Sequence, residues 1–397
     1  MRRLLALLVI LGLGMLAAPS EAETPYEINV ILPVTGYAAF IAKAEMNALS
    51  VIENQVNAAG GIRGRMIKFV IKDDQSMPTN SVQLFNDILT GKPAVVLGPT
   101  LGSTCNAVAP LIKDGPVDYC FSPGIHPAAG TYMYTAGPSN IDLFTAIARY
   151  FRERGLRKVA IITSTDASGQ DTDRSIDAVF ATAENRSLTI LDHEHARDED
   201  LSVAAQVARI QASAPDVVIA WTSGAPFATM LRGLRDAGIN VPIVASSANM
   251  LYGQMHDYAN ILPSELLFPG APSFSPEQLP AGTFKTAVVR FLDAFKAQGV
   301  RPGATENQVW DPTLIILDAF RQYGFDITAR QLRDYINNVH GRIGTYGTID
   351  YRAVPQRGVG PESVIIQRWD PTNERWTAVS KPGGSPLGVR KPSAPEP

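Results

Sequence analysis

The chain has 397 residues, with 35 Lys and Arg against 38 Asp and Glu, giving a formal net charge of -3 with the signs interspersed. No basic stripe is present to grip a phosphate backbone, so nucleic acid and polyanions are not expected as partners. Two cysteines are too few for a disulfide scaffold, and the length leaves room for two domains with real cores.

Met1-Arg2-Arg3, the apolar run LLALLVILGLGMLAA and the small residues around Ser20-Glu21-Ala22 have the three regions of a secretory signal. Residues 1–22 are expected to be removed, leaving Glu23 near the start of the mature chain. The run is shorter than the roughly 20 apolar residues a membrane span needs, and no later stretch approaches that length. No cysteine lies near the cleavage site to be acylated, so the expectation is an exported protein free in solution.

Next comes an apolar run over 28–34 that breaks at Thr35-Gly36. Apolar residues then recur at Ile41, Ala44, Ala48, Ile52 and Val56, the spacing of an amphipathic helix. Gly60-Gly61 follow the last of these, where a left-handed helix end favours glycine, and a second apolar run over 66–71 ends at Asp73-Asp74. This is a complete βαβ unit. Four more alternations follow: a strand over 94–98 before a helix from Ser103, VDYCF before the loop SPGIHPAA, a strand over 158–164 before a helix from about Gly169, and a strand over 216–221 before PFATMLRGLRDAG. Short apolar strands between amphipathic helices mean buried parallel sheet. Helices are expected over 283–298, 308–323 and 328–339, followed by a strand, turn and strand within 348–370. Residues 381–397 have little apolar content and read as a flexible tail.

Cys105 falls at a helix start and Cys120 at the end of the next strand, on one edge of a parallel sheet. That placement allows a disulfide, with two buried free thiols as the alternative.

PVTG at 33–36, NAAGGIRG at 57–64 and the Asp73-Asp74 pair together resemble the first unit of type I periplasmic solute-binding proteins, specifically the leucine/isoleucine/valine-binding family of ABC importers. The resemblance implies an α/β fold of two doubly wound parallel-sheet lobes joined by a three-stranded hinge. Lobe one would comprise 23–138 and 269–346, and lobe two 139–268 and 347–380. It implies a monomer in the periplasm that closes around a small carboxylate ligand and presents it to a membrane permease. A ligand-sensing receptor ectodomain is the alternative use of the same fold.

Ligands of doubly wound domains bind beyond the carboxyl ends of the strands. In PTLGST, Gly102 permits close backbone approach, and Ser103 and Thr104 offer hydroxyls at a helix start. An ordinary N-cap is the alternative, while the resemblance places the ligand carboxylate at Thr100, Leu101 and Gly102. SPGIHPAA resembles the family's TPAAT-like segment, which puts Gly124 and His126 against the ligand; a structural histidine is the alternative. The loop after PVTG contributes Tyr37, Phe40 and Ile41, the aromatic pair either lining the pocket or packing beside the hinge, and Gln308 completes the set in the first lobe.

In the second lobe Ser168 and Ser223 stand where the family often has tyrosines, and Ser247 where amino-acid binders keep an acid. A buried ammonium without a carboxylate partner costs several kcal/mol. Asp166, Asp257 or Asp311 could replace that partner, though none occupies the matching position. The expected ligand is therefore a larger acid without an α-amino group, aromatic or 2-oxo, with ordinary branched-chain amino acids as the alternative.

No catalytic signature occurs, so no enzyme activity and no cofactor are expected. Cys105 has no histidine nearby in sequence to activate it. His193 and His195 alternate within a strand and share a face, but a third ligand at sensible spacing is missing and no metal is expected.

Overall fold

The computed structural model describes residues 23–388, so the signal expected over 1–22 lies outside the described residues. Strand β1 (Tyr26–Leu32) ends where Pro33 removes the next ladder donor, and it buries Val30, Ile31 and Leu32 completely. Helix α1 (Ala39–Ala58) buries Ile41, Ala44, Ala48, Ile52 and Val56, the five positions its periodicity marks. The chain then turns at Gly61, whose φ of +76° and 2.1 Å gap from a would-be Cβ to the Arg65 carbonyl oxygen exclude any other residue. β2 (Ile67–Asp73) pairs parallel with β1, Tyr26 opposite Ile67 and Leu32 opposite Asp73.

Helix α2 (Pro78–Leu89), β3 (Val95–Leu97), α3 (Gly102–Val108), β4 (Val117–Cys120) and β5 (Met133–Thr135) complete a parallel sheet in the order β2-β1-β3-β4-β5. β3, β4 and β5 are buried on both faces, as short apolar strands of a parallel sheet are, while the edge strand β2 alternates buried and exposed residues.

Lobe two follows with α4 (Asn140–Arg154), β6 (Lys158–Ser164), α5 (Ala167–Phe180), β7 (Thr189–Ala196), α6 (Ala204–Ser213), β8 (Val217–Trp221), α7 (Ala225–Asp236), β9 (Ile243–Ala245), α8 (Tyr252–Asp257) and β10 (Leu266–Gly270). The chain returns to lobe one for α9 (Thr283–Lys296), α10 (Ala304–Tyr323), α11 (Ala329–Asn338) and a hairpin of β11 (Arg342–Gly344) and β12 (Gly347–Ile349). It ends with β13 (Ile365–Asp370) and β14 (Arg375–Ala378), which add antiparallel to β10. The second sheet runs β14-β13-β10-β9-β8-β6-β7. Buried Trp376 packs on Trp369, Phe268 and Tyr252 and fastens the late strands to the core.

The structure moves two of the expected lobe boundaries. Residues 271–278 stay with lobe two instead of leaving at 269, because Ser275 Oγ donates to the Trp376 carbonyl and Gln278 exchanges two hydrogen bonds with Ala378. Residues 347–358 stay with lobe one: the hydroxyls of Tyr119 and Tyr351 are hydrogen bonded, and Arg357 donates to the carbonyls of Gly137, Pro123 and Ile125. Burial pushes the Arg357 guanidinium down to about 10. The lobes are joined by three crossings of the chain, at 136–139, 279–282 and 359–360, irregular segments that enter no sheet.

Residues 381–388 of the tail expected to be flexible are held in place. Lys381 N donates to Ser385 O, Ser380 bridges Pro386, and a side chain at Gly384 would strike the Ala146 backbone of α4. Backbone turns hold this segment, and composition does not report them. Residues 389–397 lie outside the described residues.

Candidate functional site

The carboxyl ends of β1, β3 and β4 face those of β6, β8 and β9, and the loops beyond them enclose one cavity between the lobes. On lobe one, Gly98 turns the chain out of β3 with φ +78°, and a would-be Cβ there lies 2.1 Å from the Ile31 carbonyl oxygen. Thr100, Leu101 and Gly102 follow in the lining. The Thr100 hydroxyl donates to both oxygens of Glu45, at 2.8 and 3.0 Å. Glu45 is fully buried, and burial pushes its carboxyl up to about 8 against that hydrogen bond. The amides of Gly102 and Ser103 have no hydrogen-bond partner among the described residues, so lobe one offers neutral donors to the cavity.

A disulfide between Cys105 and Cys120, with Cα atoms 6.0 Å apart, ties the first turn of α3 to the end of β4. It therefore braces the loop carrying Thr100 to Gly102 against the loop carrying Ser122 and Gly124, both of which also line the cavity. Tyr37 enters from the loop after β1. Burial, reinforced by Asp166 and Asp198, raises its phenol well above the usual range, opposed by a hydrogen bond with Ser103. Gln308 reaches the cavity from the second turn of α10.

Lobe two supplies the opposite chemistry. Asp166 caps α5, accepting from Gly169 N at 2.8 Å and Ser164 Oγ at 2.7 Å, and Asp198 stands on the loop after β7. Burial first, then the Asp166 charge, push the Asp198 carboxyl up to about 6. Two acids share this wall, beside Ser168, Ser223 and the Trp221 ring. The lobes are in contact: a Cβ at Gly102 would lie 3.0 Å from Ser168 Oγ, and one at Gly224 would lie 2.6 Å from the Tyr37 carbonyl oxygen.

Of the expected set, Tyr37, Thr100, Leu101, Gly102, Gly124, Ser168, Ser223 and Gln308 line the cavity, and Ser103 does not. Three further expectations are corrected. Phe40 is 38% exposed and stays out of the lining, which takes Tyr37 and Ile41 from this loop. His126 bonds Asp171 of the other lobe rather than entering the cavity. Ser247 starts a short 3-10 turn, so its neighbours Ser246 and Ala248 face inward, a slip of one residue.

Of the three acids that could replace the family's ammonium partner, Asp166 lines the cavity, and Asp198 joins it there. Asp257 is exposed, and Asp311 is committed to Thr345, whose amide and hydroxyl both donate to it at 2.7 Å. Asp198 sits in RDED, which looks like a solvated turn in isolation. Its position directly after a parallel strand, at the carboxyl edge, is the signal that marks it.

A family model described as periplasmic binding protein matches residues 25–374. No curated protein matches by sequence. A type 1 periplasmic binding protein from Bordetella pertussis Tohama I is similar in structure at 18% identity and TM-score 0.77, over 89% of this chain and 99% of that one. The branched-chain amino acid transporter substrate-binding protein LivJ of Streptococcus pneumoniae, in complex with isoleucine, is similar at 18% and 0.73, over 90% and 99%. An ABC transporter solute-binding protein of Rhodopseudomonas palustris BisB5, in complex with 3,4-dihydroxybenzoic acid, is similar at 18% and 0.70, over 87% and 93%. Identities this low establish the shared fold.

Proposed function

We propose a solute-capture role from one premise: the chain belongs to the periplasmic binding protein family. In this reading it is an exported monomer of the periplasm, the substrate-binding component of an ABC importer, and it carries out no chemistry on its ligand. The lobes part to admit a small solute and close on it, a population shift driven only by contacts that are better in the closed form. A membrane permease then recognises that form.

One observation carries the ligand class. Hydroxyls and open amides stand on the lobe-one wall, and two carboxylates, Asp166 and Asp198, stand on the wall facing it. That polarity suits a small zwitterion, its carboxylate toward Thr100, Gly102 and Ser103 and its ammonium toward Asp198. Burial and then the Asp166 charge raise the Asp198 carboxyl, and a ligand cation would offset both by favouring its charged form. Size points the same way. The cavity of about 70 Å³ is near half the ~150 Å³ that admits benzene in an apolar core, so a compact amino acid requires less parting of the lobes than a ring does.

An aromatic acid is the second reading, supported by the Trp221, Phe121 and Tyr37 rings in the lining and by the dihydroxybenzoate held in the Rhodopseudomonas palustris BisB5 relative.

Calorimetry of the mature protein against alanine, valine, leucine, benzoate and phenylpyruvate separates the two. The zwitterion reading expects an amino acid to bind and Asp198→Asn to weaken it at least about tenfold, the loss of one charge-assisted hydrogen bond. Aromatic-acid binding that Asp198→Asn leaves unchanged overturns it. Mass spectrometry of solute released from the purified protein gives the identity.

A further inference from the structure

We propose that Asp173, His193 and His195 form a site for a borderline divalent transition ion, zinc being the type, on lobe two and outside the solute cavity. The third ligand that the sequence does not show comes from α5. His193 Nε2 lies 2.9 Å from Asp173 Oδ1 and His195 Nε2 lies 2.9 Å from Oδ2, so both imidazoles aim the same nitrogen at one carboxylate. The three ligand atoms fall within 4.8 Å of one another. The rings are stacked with centroids 4.8 Å apart and planes 21° from parallel.

A backbone irregularity creates this arrangement. β7 pairs with β6 in parallel, and its register shifts so that Ile190 opposes Val159 while Asp192 opposes Ala160. Leu191 is the extra residue. Without it His193 would oppose Ile162 and point to the other face of the sheet; with it, His193 and His195 share the face of Ile161 and Thr163, against α5. The Thr163 hydroxyl donates to Asp173 Oδ1 at 2.8 Å and fixes the carboxylate from behind, as outer partners of metal ligands do. Among the described residues no Lys or Arg pairs with Asp173; the imidazoles are its only ionisable partners.

The chemistry fits two imidazoles and one carboxylate with a position left for water, a donor set that zinc and its neighbours accept. Tetrahedral bonds of about 2.0–2.1 Å place ligand atoms about 3.3 Å apart, so the 2.9 Å spacings need to open by a few tenths of an ångström and the widest separation, within 4.8 Å, to close by up to about 1.5 Å. His195 is 44% exposed, which leaves an entry path. The ion would replace the protons now shared between the imidazoles and Asp173, and would clamp α5 to β7.

The test is competition for Zn²⁺ between the mature protein and a chromogenic chelator. One ion per chain is expected at micromolar affinity or tighter. His195→Gln should lower that affinity by more than the ~10–100-fold typical of losing an outer partner, and Thr163→Val by an amount within that range. With Cu²⁺ as the probe, electron paramagnetic resonance should show two coupled imidazole nitrogens in the wild type and one in His195→Gln. Failure to hold Zn²⁺ against the chelator, or equal retention by a folded His193→Gln/His195→Gln variant, overturns the site. His195 is on an edge strand and partly exposed, so its single variant remains informative if the double variant misfolds.

Discussion

His126 of lobe one and Asp171 of lobe two meet across the cleft, Nε2 to Oδ1 at 2.8 Å. The histidine is 47% exposed, whereas the Asp171 side chain is 4% exposed and also accepts from Asn140 at 2.9 Å. The pair therefore joins a fixed acid to a partly exposed partner, and it exists only while the lobes are together. His126→Ala is expected to favour the open form. A half-exposed hydrogen-bonded pair of this kind contributes at most about 1 kcal/mol, so ligand affinity should fall by up to about fivefold, through faster dissociation. Stopped-flow release and small-angle scattering of the ligand-free protein check this. Unchanged release and an unchanged radius of gyration would mean that the pair does not act as a latch.

Gly102 tests closure directly. Its φ is ordinary, so Gly102→Val should fold with a ligand-free melting temperature near wild type. The added side chain would meet Ser168 and Ser122, whose hydroxyls lie 3.0 and 3.4 Å from its first carbon. Closure, and with it binding, should be lost. Calorimetry showing wild-type affinity in this variant would place the solute elsewhere.

Most of the fold could be read from the chain because buried parallel strands and amphipathic helices leave strong periods, as the five α1 positions show. Loops of lobe one could be read too, since PTLGST and SPGIHPAA carry recognisable motifs beside their strands. Lobe two was harder. Asp198 has no motif of its own, and Ser247 was off by one because a 3-10 turn shifts which side chain faces inward. The Asp173 contact to His193 and His195 spans about 20 residues and depends on a bulge, and neither hydropathy nor spacing encodes it. The late crossing at 359–360 follows from hydrogen bonds of Arg357, which are equally silent in the sequence.

Stability should fall as pH rises through neutrality. Burial pushes Glu45 up to about 8 and Glu306 up to about 7, against about 4.3 for an unfolded glutamate. Between those values the folded chain holds protons that the unfolded chain has released. Their contribution is complete below about pH 4.3 and is lost as pH climbs to 7 and 8. Melting temperature is expected to decline from pH 5 to pH 8 and then level. Glu45→Gln, which keeps an acceptor for Thr100, should flatten the upper part of that decline. A curve of the same shape in the variant would remove Glu45 as a cause.

Asp118 lies in the middle of β4, fully buried, with neither carboxyl oxygen hydrogen bonded among the described residues. Burial raises its carboxyl well above the usual range. Asp118→Val, of similar shape and suited to a strand, removes the polar penalty, for which about 1–3 kcal/mol is typical. The variant should melt higher at pH 7, with the gain shrinking toward pH 4 as the native acid is protonated in both states. Destabilisation at pH 7 would show that the acid has a role in the fold.

The three crossings also set an order on synthesis. β10 pairs with β9 on one side and with β13 on the other, so its outer edge stays open until residues 365–370 have been made. Ser275 and Gln278 likewise wait for Trp376 and Ala378. An unpaired edge of that kind invites wrong partners. Neither lobe is continuous in the chain, and the second can reach its finished state only after nearly every residue has left the ribosome. A nascent chain halted anywhere before β13 would therefore present a half-built sheet, a natural hold point for whatever handles the polypeptide before it folds.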